Sequence, residues 1–306
     1  MMRARPGVLL GALACAALMP LAAGAKKIYK FVDAQGITHY TDQKPEGVAS
    51  EIKVIGVRAE QQQIASLRLD GRERERMAVA TNRLAGAIEV ELRFTSQQNV
   101  AGLPALPLRV VIPAESERTL ATIRPLDPYQ AANFALEFGA VPGDPNAQPD
   151  DSVYRIPLDT PDWRIDQGFG GDFSHTDPQS RYAIDLAVDE GTPVHAARAG
   201  QVMQVEEDFE GAGLDREKFG GRANHVRVLH DDGTMAVYAH LQPESVVVRP
   251  GQRVNIGQRL GASGNTGFST GPHLHFAVQV NRGMELVSIP FRMDAPGGAV
   301  RIPGAQ

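Results

Sequence analysis

His273-Leu274-His275-Phe276-Ala277-Val278 is the stretch on which the reading of this chain turns. In a β-strand, residues two apart project from the same face, about 7 Å from one another along the chain. Leu274 and Phe276 then enter a core, and the two imidazoles of His273 and His275 enter one cleft on the opposite face. Gly264, Gly267, Gly271 and Pro272 shape a tight approach to this strand.

Further strand-like runs surround it: Gly200 to Val205, His225 to Leu229 and Thr234 to Ala239, separated by Gly, Pro and Asp turns. Together they predict an antiparallel β domain, sandwich- or barrel-like, over 161–294. The polar, Gly-rich segment from Glu206 to Ala223 reads as a surface excursion, and 295–306 as a frayed tail. Upstream, Glu89 to Phe94, Leu108 to Ile112 and Val153 to Pro157 run or alternate apolar and predict a smaller β domain over 88–160. Residues 57–87 are polar and charged, with the alternating run Arg72 to Arg76, and read as a solvated helical linker broken by Gly71. In 26–56, Ile28 to Val32 and Ile37 to Tyr40 flank Asp-Ala-Gln-Gly and predict a β-hairpin. The chain is thus mostly β, in agreement with 31 Gly, 21 Pro and 6% aromatic residues among 306.

Arg3 and Arg5 precede an apolar run from Gly7 to Ala23 that closes on Ala23-Gly24-Ala25. Such a pattern predicts a signal peptide over 1–25, cut before Lys26. The single cysteine, Cys15, lies inside it, so the exported chain would hold no disulfide and no thiol. A net charge of −5 gives no general attraction to nucleic acid or anionic lipid. The expected address is periplasmic or secreted, with no stable membrane anchor after cleavage.

Seven of the eight histidines fall between 175 and 275. Alternation also fixes the face of His240 in Tyr238-Ala239-His240-Leu241. Asp185 sits inside Ala183-Ile184-Asp185-Leu186-Ala187, where a carboxylate is costly to bury unless it is paired or holds a cation. Oxygen and imidazole donors without thiolates suit a catalytic Zn2+ with one position left for water.

These features resemble the lysostaphin-type, LytM-like zinc metalloendopeptidases, which hydrolyse peptidoglycan. The resemblance rests on Tyr182-Ala183-Ile184-Asp185, Gly191-Thr192-Pro193-Val194, Tyr238-Ala239-His240-Leu241, and Gly264-Asn265-Thr266-Gly267 leading to Gly271-Pro272-His273-Leu274-His275-Phe276. It implies the duplicated hybrid motif of that family's β domain, with Asp185 and His275 as metal ligands and His240 and His273 as catalytic histidines. The family's first histidine usually stands four residues before the Asp, but that position is Arg181, which cannot give up a proton to bind a metal. Part of the family carries a Phe-Ser-His segment and a longer loop, and Phe173-Ser174-His175 matches it, so His175 is taken as the third ligand. His195, His225 and His230 read as structural or solvent-facing. The hairpin unit, through Ile28-Tyr29-Lys30-Phe31-Val32-Asp33 and His39-Tyr40-Thr41-Asp42, resembles a small proteobacterial envelope domain of unassigned function.

The resemblance implies a hydrolase, a metalloprotease of the cell wall, with a zinc-bound water as nucleophile and a peptidoglycan peptide as substrate. In a Gram-negative wall the bond joining D-alanine to meso-diaminopimelate is the expected target. Two other readings are open: an inactive relative that binds an envelope protein partner and activates another wall hydrolase, and a wall-binding β domain with incidental histidines.

Overall fold

The computed structural model describes residues 27–32, 38–41, 53–56, 63–72 and 74–305. The signal-peptide reading of 1–25, Cys15 included, lies outside them. The chain divides into two units, 1–57 and 58–306.

In the first unit, Lys27–Val32 pairs antiparallel with Thr38–Thr41 and with Lys53–Gly56. Phe31 faces His39 in the register, so the expected hairpin is present, with a third strand added.

The second unit opens with strands where a helix is expected. The stretch read as a polar helical linker is a hairpin, Ala65–Arg72 with Glu75–Asn82, paired residue for residue from Ala65↔Asn82 to Arg72↔Glu75. Its charges follow a period of two: Arg68 and Asp70 point to solvent, where Arg68 joins Glu117 at 2.7 Å, while Ala78 and Ala80 are wholly buried. Gly71, read as a helix breaker, turns the chain at φ 95°, and a Cβ there would meet the Glu75 carbonyl oxygen at 2.3 Å.

This hairpin extends into a four-stranded sheet with Glu117–Pro125 and Val100–Leu103. A three-stranded sheet, Asn133–Pro142, Ile88–Gln98 and Leu108–Ile112, completes the middle region. The expected strands around Glu89 and Leu108 are therefore present and antiparallel. Val153–Arg155 instead pairs parallel with Arg292–Ala295, near the C-terminus.

The main sheet runs in the order Arg164–Gln167, Ala183–Ala187, His273–Asn281, Met235–Ala239, His225–Leu229, Gly200–Glu206, Arg253–Val254, with Leu286–Ser288 on the far end of the long strand. All of these pairings are antiparallel, and among the described residues no closed barrel forms. One face buries Leu186, Ile184, Leu274, Phe276, Val278, Tyr238, Val226 and Val228 in a single core. Full burial of side chains such as Phe276 and Leu274 contributes about 2 kcal/mol each, so the alternation that fills this face also fixes what stands on the other.

The tail is not frayed. Gly298–Ala299 folds back on Arg292–Ala295, Ile302 packs into the core, and the Pro303 carbonyl accepts from Phe169 N–H at 2.9 Å. The middle region and the main sheet share a second core, in which Met203 and Met235 meet Ile88, Val90 and Leu92. Among the described residues no helix is long and apolar enough to cross a membrane.

Candidate metal centre

Register carries the chemistry. Asp185 faces His275, His275 faces Ala239, and Ala239 faces His225, so one row of the sheet crosses four strands on the side away from the core. His275 Nδ1 lies 2.8 Å from Asp185 Oδ1. His175 comes from a turn segment rather than a strand, yet its Nε2 lies 3.2 Å from the same oxygen. Donor atoms of His175, Asp185 and His275 all fall within 4.8 Å of one another.

His175, His240 and His273 are each held through Nδ1. The Gly168 carbonyl accepts from His175 Nδ1–H at 2.7 Å, which turns Nε2 toward Asp185. The Thr266 carbonyl accepts from His240 Nδ1–H at 2.6 Å, and that of Gly271 from His273 Nδ1–H at 2.8 Å. A carbonyl only accepts, so both rings offer Nε2 as a base. The His240 and His273 rings are 4.5 Å apart, and His273 Nε2 is 3.8 Å from Asp185 Oδ1. His240 holds a left-handed backbone, φ 63°, an uncommon conformation that aims its ring off the end of its strand. Gly264 permits this crowding, since a Cβ there would come within 2.5 Å of the Gln242 nitrogen.

The electrostatics separate the groups. Burial works to raise the Asp185 carboxyl, but hydrogen bonds from His175 and His275, and their charge, hold it well below the usual carboxylate range. Burial is the largest influence on His175 and opposes its charge, but the hydrogen bond to Asp185, that carboxylate's charge and the bond to Gly168 together outweigh it and raise the ring. Burial, then the neighbouring His273 and His275, push His240 down to about 3, and burial likewise lowers His273. The site is thus one carboxylate anion facing imidazoles, with two further neutral rings beside it. Two imidazoles and one carboxylate, without thiolate, form a donor set that suits zinc.

Two contributors carry no signal in the sequence. Gln167 lies on the edge strand opposite Asp185, donates from Nε2 to Asp185 Oδ2 at 3.0 Å, and accepts from Phe173 N–H at 3.1 Å. Gly168 acts through its carbonyl alone. The site opens into a cleft of ≈ 1000 Å³. Phe173 stacks on Phe268 at 5.6 Å along its wall, with Arg216 over the Phe268 ring. His225 lines this cleft, whereas His195, beside Asp159, and His230, against Tyr154, do not.

A model of peptidase family M23 matches residues 179–286, which hold Asp185, His240, His273 and His275. The chain carries an M23 peptidase domain. A second model, a domain of unknown function, DUF4124, matches residues 14–66. An uncharacterized metalloprotease of Haemophilus influenzae is 39% identical over 98 residues, 32% of this chain and 18% of that protein. The peptidoglycan DD-endopeptidase ShyA of Vibrio cholerae is 33% identical over 136 residues, 41% of this chain and 27% of that one. The chain therefore spans less than a third of the length of these two relatives. Lysostaphin from Staphylococcus simulans, a solved structure, is 35% identical over 39% of this chain and 43% of its own, with a TM-score of 0.29. The M23 match begins four residues after His175, so the ring that joins Asp185 and His275 in space stands just outside it.

Proposed function

We propose that this M23 domain is a zinc-dependent endopeptidase that hydrolyses a peptide bond, in a cross-link or stem, of peptidoglycan. The observation that carries the reading is the convergence of His175, Asp185 and His275 within 4.8 Å, with two base-ready imidazoles alongside. Those three residues would hold the ion. Bound there, zinc supplies Lewis acidity toward water and toward the peptide carbonyl.

The remaining work belongs to the chain. Asp185 provides the negative charge, and Gln167 and the Gly168 carbonyl orient the donors before any ligand arrives. His240 and His273 handle protons: with each Nδ1–H engaged by a backbone carbonyl, Nε2 takes the proton of the attacking water and returns it to the departing amine. Depressed basicity keeps both rings neutral, and so able to accept, at pH 7. The Phe173–Phe268 wall lines the cleft in which an extended peptide would lie.

The peptidoglycan substrate follows the relatives' printed names, and residues 1–25, as a secretory signal, would place the chain in the periplasm. The test uses purified protein assayed for zinc and for soluble fragments released from peptidoglycan, with and without chelator. Zinc near one equivalent and chelator-sensitive release are expected. A protein that binds no zinc and releases nothing is an adaptor, and the proposal is then wrong.

A further inference from the structure

Arg227 stands on the cleft face of the sheet, two residues along its strand from His225 and two strands across from His275. Strand spacing puts it about 12 Å from His275. Its neighbours on either side in sequence, Val226 and Val228, are wholly buried in the core, so the guanidinium points to the same side as the histidines. The residue is only 8% exposed, yet it lines the cleft.

A buried guanidinium normally faces a carboxylate. Here Nη1 donates to Gln279 Oε1 at 2.6 Å and Nε to Gln204 Oε1 at 3.4 Å, and both partners are neutral. Among the described residues no carboxylate comes within 4.0 Å of it. The nearest acid on the neighbouring strand, Glu206, accepts from Gln204 Nε2 at 3.5 Å. Gln279 is itself held, donating to the Gln179 carbonyl at 2.8 Å, so its oxygen is kept on Arg227. Of five N–H donors, two are engaged, and among the described residues no acceptor is found for the other three. An uncompensated buried cation is costly, and a fold that needed only packing would place an apolar residue there. Between Arg227 and the histidines the cleft is lined by the small or apolar side chains of Val237 and Ala239, which carry no polar group to compete for a ligand.

We propose that Arg227, oriented by Gln204 and Gln279, is a specificity-determining residue that binds a carboxylate of the wall peptide remote from the bond being cut. Two parallel N–H···O bonds from a preset guanidinium fit a carboxylate and are wasted on a carboxamide. Burial lowers Arg227 only to about 10, so the cation persists at neutral pH. The identity of the peptide rests on the peptidase reading above; the anion site does not.

The test uses a soluble peptidoglycan cross-link peptide in two forms, with the carboxylates remote from the scissile bond either free or converted to carboxamides. Binding is measured by calorimetry and hydrolysis by chromatography, on the zinc-loaded full chain and on R227M and R227K. The unsubstituted protein is expected to bind the free acid about 30-fold more tightly than the amide. R227M should bring that ratio to about one with zinc content unchanged, and R227K should keep an intermediate preference. A ratio near one in the unsubstituted protein, a ratio unaltered in R227M, or binding of neither form overturns the inference. Preferential binding of the acid without hydrolysis of either form refutes the peptidase reading and leaves the anion site standing. Equal hydrolysis and binding of both forms does the reverse. A merely structural arginine would weaken both forms equally, and should R227M fail to fold, R227K and the unsubstituted ratio still decide.

Discussion

Asn82 in the middle region and Asp185 in the M23 domain are both polar, both buried and both on strands, yet their partners differ in kind. Asn82 Oδ1 accepts from Leu84 N–H, and its Nδ2 donates to the carbonyls of Gly86 and Pro113 at 2.8 Å and of Ile112 at 3.2 Å. Every partner is backbone, so the side chain stitches loops together and has nothing left for a ligand. Asp185 meets the side chains of Gln167, His175 and His275, the first two anchored at their other ends, and these converge on a point rather than on the chain. A buried polar group that exhausts its bonds on backbone holds the fold, whereas one that faces other titratable groups marks a site.

That contrast is easiest to break at its two poles. His275→Ala should remove zinc and reduce peptidoglycan hydrolysis by about 1000-fold or more, because a ligand and half the charge partnership of Asp185 go together. Its metal-free form should melt within about 2 °C of the parent, since His275 faces the cleft and not the core. Retained zinc and hydrolysis would remove His275 from the metal set. Asn82→Ala should do the opposite: a loss of about 3 kcal/mol in urea unfolding, from the loss of its bonds to three carbonyls and one N–H, with specific activity unchanged in the fraction that stays folded. Equal stability would show that the loops at Gly86 and Pro113 hold themselves.

Residues that declare themselves by period are legible in the sequence. Leu274, Phe276, His273 and His275 alternate without interruption, and an acid among Ala183, Ile184, Leu186 and Ala187 stands out because burial penalises it. His175 was harder: neither spacing nor periodicity places a turn residue opposite a strand, and the assignment came from the resemblance. The Ala65–Asn82 hairpin was misread because a strand whose outer face is Arg, Asp and Glu carries the same composition as a solvated helix, and only its pairing with Glu117–Pro125 reveals the period of two. Gln167, Gly168 and Arg227 left no trace at all. A glutamine at a strand edge, a backbone carbonyl and an arginine flanked by valines read as ordinary surface until the sheet register puts them beside Asp185 or on the cleft floor.

His230 sharpens the comparison by acidity. Its Nδ1–H donates to the Ala199 carbonyl at 2.8 Å, its Nε2 is buried without a partner, and burial pushes it down to about 4. Because the unfolded chain binds the proton near pH 6.5, the folded state holds its full advantage above that value and loses it as pH falls toward 4. Stability should drop by about 2 kcal/mol between pH 7 and 5 from this group alone. His230→Phe, which keeps an aromatic ring against Tyr154, should flatten that part of the profile in urea titrations at the two pH values. A variant with the parent's slope would assign the acid sensitivity elsewhere.

The smallest expected effect tests whether orientation, and not only ligand count, separates the M23 site from Asn82. Gln167 is no ligand, yet its Nε2 fixes Asp185 Oδ2 while its Oε1 receives the backbone N–H of Phe173 and Ser174, so one amide couples the carboxylate to the segment that carries His175. Replacing it by Leu leaves all three donors in the chain but frees the carboxylate to rotate and loosens the turn before His175. Zinc affinity, measured by competition with a chelating dye, should weaken about tenfold, and turnover at saturating zinc should stay close to the parent. An unchanged affinity would mean that the strand register alone presets Asp185; a collapse of turnover at full zinc occupancy would move Gln167 from positioning the donors to touching the substrate.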